Sequence, residues 1–143
     1  MFTIKRTTTL ATASLVSAVL AGPVAAADLT VTIGPVKQSA GELMVAVYNS
    51  ADTFSETTLT AQRTPAKEGD VVVTFNGLDA GEYAVMVFHD VNGNDKLDTN
   101  LLGMPSEPWG ASLQGKRVFG APGWDDTRFS VADTNVSIAI KLN

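Results

Sequence analysis

Val71-Val72-Val73-Thr74-Phe75-Asn76-Gly77-Leu78-Asp79-Ala80-Gly81-Glu82-Tyr83-Ala84-Val85-Met86-Val87-Phe88-His89 sets two apolar runs on either side of a cluster of turn residues. The first run is rich in β-branched side chains, which fit a pleated, half-buried surface, and it ends at the turn signal Asn76-Gly77. In the second, Tyr83, Val85 and Val87 alternate with Ala84, Met86 and Phe88, so an extended strand here is apolar on both faces. Residues 41–49 repeat that double pattern, with Leu43, Val45 and Val47 opposite Met44, Ala46 and Tyr48. Leu29, Val31 and Ile33 alternate with Asp28, Thr30 and Thr32, a strand with one wet face. Near the end Val136, Ile138, Ile140 and Leu142 alternate with Ser137, Ala139 and Lys141, and residues 59–63 are a weaker candidate. Six short strands, turn residues between them and almost no helical periodicity predict an all-β fold, an antiparallel β-sandwich.

Between residues 90 and 133 the pattern changes. This stretch holds six of the twelve glycines, three of the six prolines and both tryptophans, and it reads as a long irregular insertion before the last strand. Short strands are expected within it at 116–119 and 127–131. Structureless segments of this length usually serve a function. Trp109, Phe119 and Trp124 have two readings: a satellite cluster giving the insertion its own small core, or an aromatic platform for a sugar or peptidoglycan fragment, with Gln114, Arg117 and Arg128 nearby.

The insertion opens on Asp90-Val91-Asn92-Gly93-Asn94-Asp95-Lys96-Leu97-Asp98, where oxygen-bearing side chains recur at every second position through a turn. Ca²⁺ is a hard ion that takes six to eight oxygens, and Asp90, Asn92, Asn94, the Lys96 carbonyl and Asp98 stand at positions 1, 3, 5, 7 and 9 of an EF-hand-type series. Position 6 is Asp95 where a glycine usually makes the sharp turn, and position 12 is Leu101 where a bidentate glutamate belongs. The missing ligand is sought among Asn100, Glu107, Asp125 and Asp126. The plainer alternative is an Asx-rich turn, since Asn and Asp bond their own backbone with or without an ion.

The start of the chain bears on compartment. Lys5 and Arg6 form a positive n-region, residues 10–20 a short apolar core diluted by Thr and Ser, and Ala25-Ala26-Ala27 a small-residue cleavage site. Residues 1–27 therefore read as a signal peptide and residues 28–143 as a single sandwich domain, periplasmic or secreted. The segment is too polar for a membrane-spanning helix. Cleavage removes two cations and none of the fifteen acids, moving the formal charge from −5 to −7. That balance argues against nucleic acid as a partner and favours cations. With no cysteine, stability must come from a core, helped by a bound ion.

The run from Phe75 through Gly77, Gly81 and Tyr83 to Val85 resembles the strand-turn-strand signature of prealbumin-like sandwiches such as the carboxypeptidase regulatory domain. The loop after it is similar to those of B-repeats in Gram-positive surface adhesins. More closely, His89-Asp90-Val91-Asn92-Gly93-Asn94, Lys96-Leu97-Asp98, Gly103-Met104-Pro105-Ser106-Glu107 and Trp109-Gly110 together resemble a bacterial family of small exported proteins classed as a domain of unknown function. The resemblance spans nearly all of residues 28–143 and implies a sandwich fold and an exported life, with no established activity. The family's usual loop has glycine where this chain has Asp95.

Three function classes follow. The first is a non-catalytic exported sandwich whose Ca²⁺ loop orders a surface insertion for contact with an envelope or extracellular component. The second is a small-ligand or glycan-binding module using Trp109 and Trp124. The third is a hydrolase with Asp90, Asp98 and His89 around a catalytic ion. Enzyme chemistry is the weakest, because His89 is the sole histidine, Ser106, Ser112 and Ser130 sit in no recognisable nucleophile motif, and Asp125 and Asp126 point apart in extended chain. N-terminal mass analysis of exported protein is expected to show Asp28 as the first residue; an intact Met1 would remove the signal-peptide reading.

Overall fold

The computed structural model describes residues 26–115 and 120–143. The leader, the candidate strand at 116–119, Arg117 and Phe119 lie outside the described residues.

Among the described residues eight strands form two sheets: β1 (Ala27–Val36), β2 (Glu42–Tyr48), β3 (Thr60–Pro65), β4 (Gly69–Leu78), β5 (Gly81–Asp90), β6 (Trp109–Ala111), β7 (Phe129–Val131) and β8 (Val136–Ile140). One sheet has the order β4-β1-β8 and the other β3-β2-β5-β6, with β7 also on β5. Leu29, Val31, Ile33, Val73, Phe75 and Ile140 from the first face Leu43, Val45, Val47, Tyr83, Val85 and Val87 from the second in one buried core. The alternation that predicted the strands is thus the alternation of core and outer faces. β3 was faint in sequence because it is an edge strand, mostly exposed and ending at Pro65, where a missing N–H costs no ladder bond.

Three expectations are corrected in detail. The sandwich is not wholly antiparallel, since β8 runs parallel to β1, from Leu29↔Val136 to Ile33↔Ile140. β8 follows β7 after four residues but crosses to the other sheet, and a strand arriving from the facing sheet is free to add in either direction. Asn76-Gly77 does not end its strand: two β4 residues there oppose one β1 residue, between the pairs Ala27↔Leu78 and Leu29↔Phe75. Gly77, at φ 71°, supplies the left-handed residue of this bulge, and its N–H donates to Asp28 Oδ1 at 3.1 Å. The turn itself falls at Asp79-Ala80 and carries the chain from one sheet to the other, fixed by Tyr83 Oη donating to Asp79 O at 2.8 Å. Finally, the insertion is less irregular than its composition suggests, for it contains β6, a 3₁₀ turn (Ser112–Gln114), the single-turn helix α1 (Trp124–Thr127) and β7. Of the candidate strand at 127–131 only the last three residues form a paired strand.

The outer edge of β5 is shared by two short strands. β6 pairs with Met86, Val87 and Phe88, and β7 with Gly81, Glu82 and Tyr83. At the gap between them the buried Ser112 side chain replaces the missing ladder: its Oγ accepts from Val85 N at 3.0 Å and donates to Thr127 O. The neighbouring edge is closed by Gln114, whose amide donates to Ala139 O and accepts from Lys141 N, as a strand backbone would. At Gly110 any Cβ would lie 2.5 Å from Lys141 O, so β6 approaches the end of β8 only because it lacks a side chain there.

Ser112→Ala would strand the buried Val85 N–H, at a cost on the order of 1–3 kcal/mol. Urea unfolding of this variant is expected to show a lower midpoint with an unchanged slope; wild-type stability would mean that the junction is not held by the hydroxyl.

Candidate functional site

Asp90 ends β5 and begins the loop. It is 1% exposed, and its carboxylate survives burial because Oδ1 accepts from Gly93 N (2.8 Å) and Asn94 N (3.2 Å) and Oδ2 from Asp95 N (2.8 Å). Desolvation pushes its pKa up, but these three N–H donors and the Arg63 charge outweigh it and hold the carboxyl below its ordinary 3.8. The backbone nest around Asp90 needs a sharp turn. Gly93 is at φ 74° and Asp95 at φ 65°, so the aspartate at position 6 takes the left-handed conformation in which glycine is usual. Its carboxylate meets Arg63 Nη1 of β3 at 2.7 Å. Gly41 at the start of β2 has φ 73°, and a Cβ there would lie 1.9 Å from Asp90 O.

Farther round the loop, Asn92 Nδ2 donates to Asp98 Oδ2 at 2.6 Å and Asn94 Nδ2 to Asp98 Oδ1 at 2.9 Å. Asn92 Oδ1 accepts from Asn94 N and Asn94 Oδ1 from Lys96 N, the Asx turns expected of such a sequence. The loop thus brings Asp90, Asn92, Asn94 and Asp98 around one turn, with two carboxylates among them. Among the described residues no three of His, Cys, Asp and Glu gather as a metal group. Of the candidates for a further ligand, Glu107 is brought to the loop. Its Oε1 accepts from Val91 N (2.9 Å) and its Oε2 from Asp98 N (3.0 Å), so one carboxylate clamps both ends of the turn. Asn100 instead caps a small hairpin, its Oδ1 accepting from Leu102 N and Met104 N beside the Thr99–Pro105 bridge. Asp125 pairs with Arg128, and Asp126 accepts from Gly123 N at the start of α1.

His89 faces the core with Tyr83, Val85 and Val87. Its Nε2 lies 2.6 Å from Ala40 O, which only accepts, so that nitrogen carries a proton. The hydrolase reading needs this ring at the ion, whereas consecutive strand residues His89 and Asp90 project to opposite faces.

Trp109 and Trp124 occupy different places. Trp124 stacks edge-on against Phe54 (5.9 Å), which stacks on Tyr48 (5.2 Å), covering one end of the outer face of the β2–β5 sheet. Trp109 stands opposite Phe88, which stands opposite Met44, and Met86 lies between Ala46 and Ala111. These rows form the other end of that face. There a cleft of about 660 Å³ opens, lined by Met86 and Trp109 from the sheet and by Leu97, Leu102, Met104 and Ala121 from the insertion. Sequence reasoning did not find this cleft. Its signal was present in the double apolar pattern of β2 and β5, which requires cover on both faces.

Residues 31–139 match the model of a family described as an uncharacterized protein conserved in bacteria (DUF2141). No curated protein and no solved structure matches the chain. No helix among the described residues is long and apolar enough to cross a membrane.

Because the Asp90 carboxyl is held below 3.8 in the folded state, it contributes stability that is complete above that pH and is lost as pH falls through the lower folded value. In chelator, Asp90→Asn should destabilise the protein at pH 7 and flatten the acid limb of its stability curve below about pH 4. An acid limb as steep as the wild type's would assign acid unfolding to other groups.

Proposed function

We propose, from the premise that the chain belongs to the bacterial family matched over residues 31–139, that it is a non-catalytic exported sandwich whose 90–98 loop takes Ca²⁺ and so fixes a surface insertion for contact with an envelope component. The observation that carries this reading is the convergence of both asparagine amides on the Asp98 carboxylate, at 2.6 and 2.9 Å, beside an Asp90 kept ionised by its backbone nest. Each asparagine Oδ1 accepts one backbone N–H and keeps a second lone pair, so together with the Asp90 and Asp98 carboxylates the loop offers hard oxygen donors suited to Ca²⁺ and not to zinc. Asp90 Oδ2 accepts one backbone bond where Oδ1 accepts two, and a remaining lone pair completes the set. The ion reinforces an insertion already clamped by Glu107, so its effect is on rigidity and not on whether the sandwich folds.

Export rests on the leader pattern of residues 1–27 and on a mature charge that attracts cations. The contact surface is the hairpin around Asn100, where Leu101, Leu102 and Met104 are exposed at 105%, 84% and 60%. Large apolar side chains grouped at a loop tip mark a site of interaction.

Calorimetric titration of chelator-treated protein is expected to show one Ca²⁺ site, and Ca²⁺ at a hundredfold excess over Kd should stabilise the fold by about 2.7 kcal/mol. Asp98→Ala should abolish both effects. Melting curves unchanged by Ca²⁺, with no heat of binding, would reduce the loop to an Asx turn.

A further inference from the structure

We infer that the cleft between the insertion and the outer face of the β2–β5–β6 sheet binds one hydrocarbon chain of a monomeric amphiphile. Its volume of about 660 Å³ suits a small molecule, since such pockets run from roughly 300 to 1,000 Å³. The lining selects the chemistry. Among the described residues no charged side chain contributes to it, and the only polar side-chain groups are the Thr99 hydroxyl and the Trp109 indole N–H. A sugar needs several directed hydrogen bonds, and two donors on an otherwise apolar wall do not supply them.

A peptide is disfavoured for a related reason, since its backbone groups must be paired when they leave water. Among the described residues the walls have little left to pair with. In the hairpin, Asn100 N donates to Met104 O, Gly103 N to Asn100 O and Ser106 N to Asp98 O, while the Asn100 side chain takes two further N–H groups. On the sheet side the β5 edge is covered by β6, and the Pro108 and Trp109 carbonyls accept from His89 N and Asn143 N. What the cleft offers is apolar surface that water now touches, including Leu102 and Met104 at its rim. A saturated chain covers that surface and demands no hydrogen bond. Met86 and Met104 adapt to a flexible occupant, as methionine does at permissive binding surfaces.

A single chain fits better than a bilayer. The site is a recess, and the formal charge, −5 for the whole chain and −7 without the leader, repels the anionic surface of an envelope membrane. Because the walls are tied by protein hydrogen bonds, the inference is independent of the calcium reading, and the two are tested separately by working in Ca²⁺ and in chelator.

The experiment uses Trp124→Phe, which leaves Trp109 as the only tryptophan. Dodecyl maltoside is titrated below its micelle concentration, with maltose as control, in both buffers. A saturable change in Trp109 emission with the detergent and none with maltose is expected in each buffer, at one detergent per chain by native mass spectrometry. Leu102→Glu, at an exposed position that leaves folding intact, should weaken that affinity at least tenfold. An equal response to maltose would overturn the inference in favour of a sugar site. So would a response confined to phosphatidylglycerol vesicles, a detergent-free dimer that hides Trp109, or no saturable change below the micelle concentration.

Discussion

A sheet whose central strands are apolar on both faces must be covered twice, and the rest of this structure follows from that constraint. The facing sheet covers Leu43, Val45, Val47, Val85 and Val87, each burial contributing roughly 1.5–3 kcal/mol. The second face is left to whatever the connections supply. Phe54 and Trp124 cover Tyr48 at one end, and Ala84 and Ala111 are buried on the same face. At the other end Met86 and Trp109 are half-buried, and the cover stops short of closing.

The segment that supplies the cover has few aliphatic side chains and is held mainly by polar ones. Glu107 joins Val91 to Asp98, Asp90 gathers three N–H groups, Asn100 shapes the hairpin, and Ser112 bridges the break between β6 and β7. Among the described residues no buried side-chain nitrogen or oxygen lacks a partner, so this polar scaffold is complete without further groups. A cation at the 90–98 loop would act on top of it. That separation would let one end of the insertion answer to an ion while the other presents apolar surface.

Sequence made the sandwich legible wherever a strand was long enough to show its period. The double alternation around Met44 and Met86 identified central strands, and the single alternation around Val31 a half-wet one. It was silent on β6 and β7, because three residues carry no period, and it misplaced the turn at Asn76-Gly77, because a bulge and a hairpin call for the same left-handed glycine. In the site, Asp90, Asn92, Asn94 and Asp98 were legible from spacing alone, and His89 from its strand parity. The dual role of Glu107, the Asp95–Arg63 pair and the separation of the two tryptophans depend on which strands lie side by side. Such long-range placements are not encoded in any local pattern.

The central claim is that one carboxylate, Glu107, pins both ends of the loop and thereby holds the insertion over the sheet. Residue-resolved amide hydrogen exchange tests it most directly. The account predicts that Val91 and Asp98 amides are protected in the wild type and lose protection together in Glu107→Ala, while Val85, bonded to Ser112, keeps its own. Val91 and Asp98 amides exchanging at unprotected rates in the wild-type protein would contradict it.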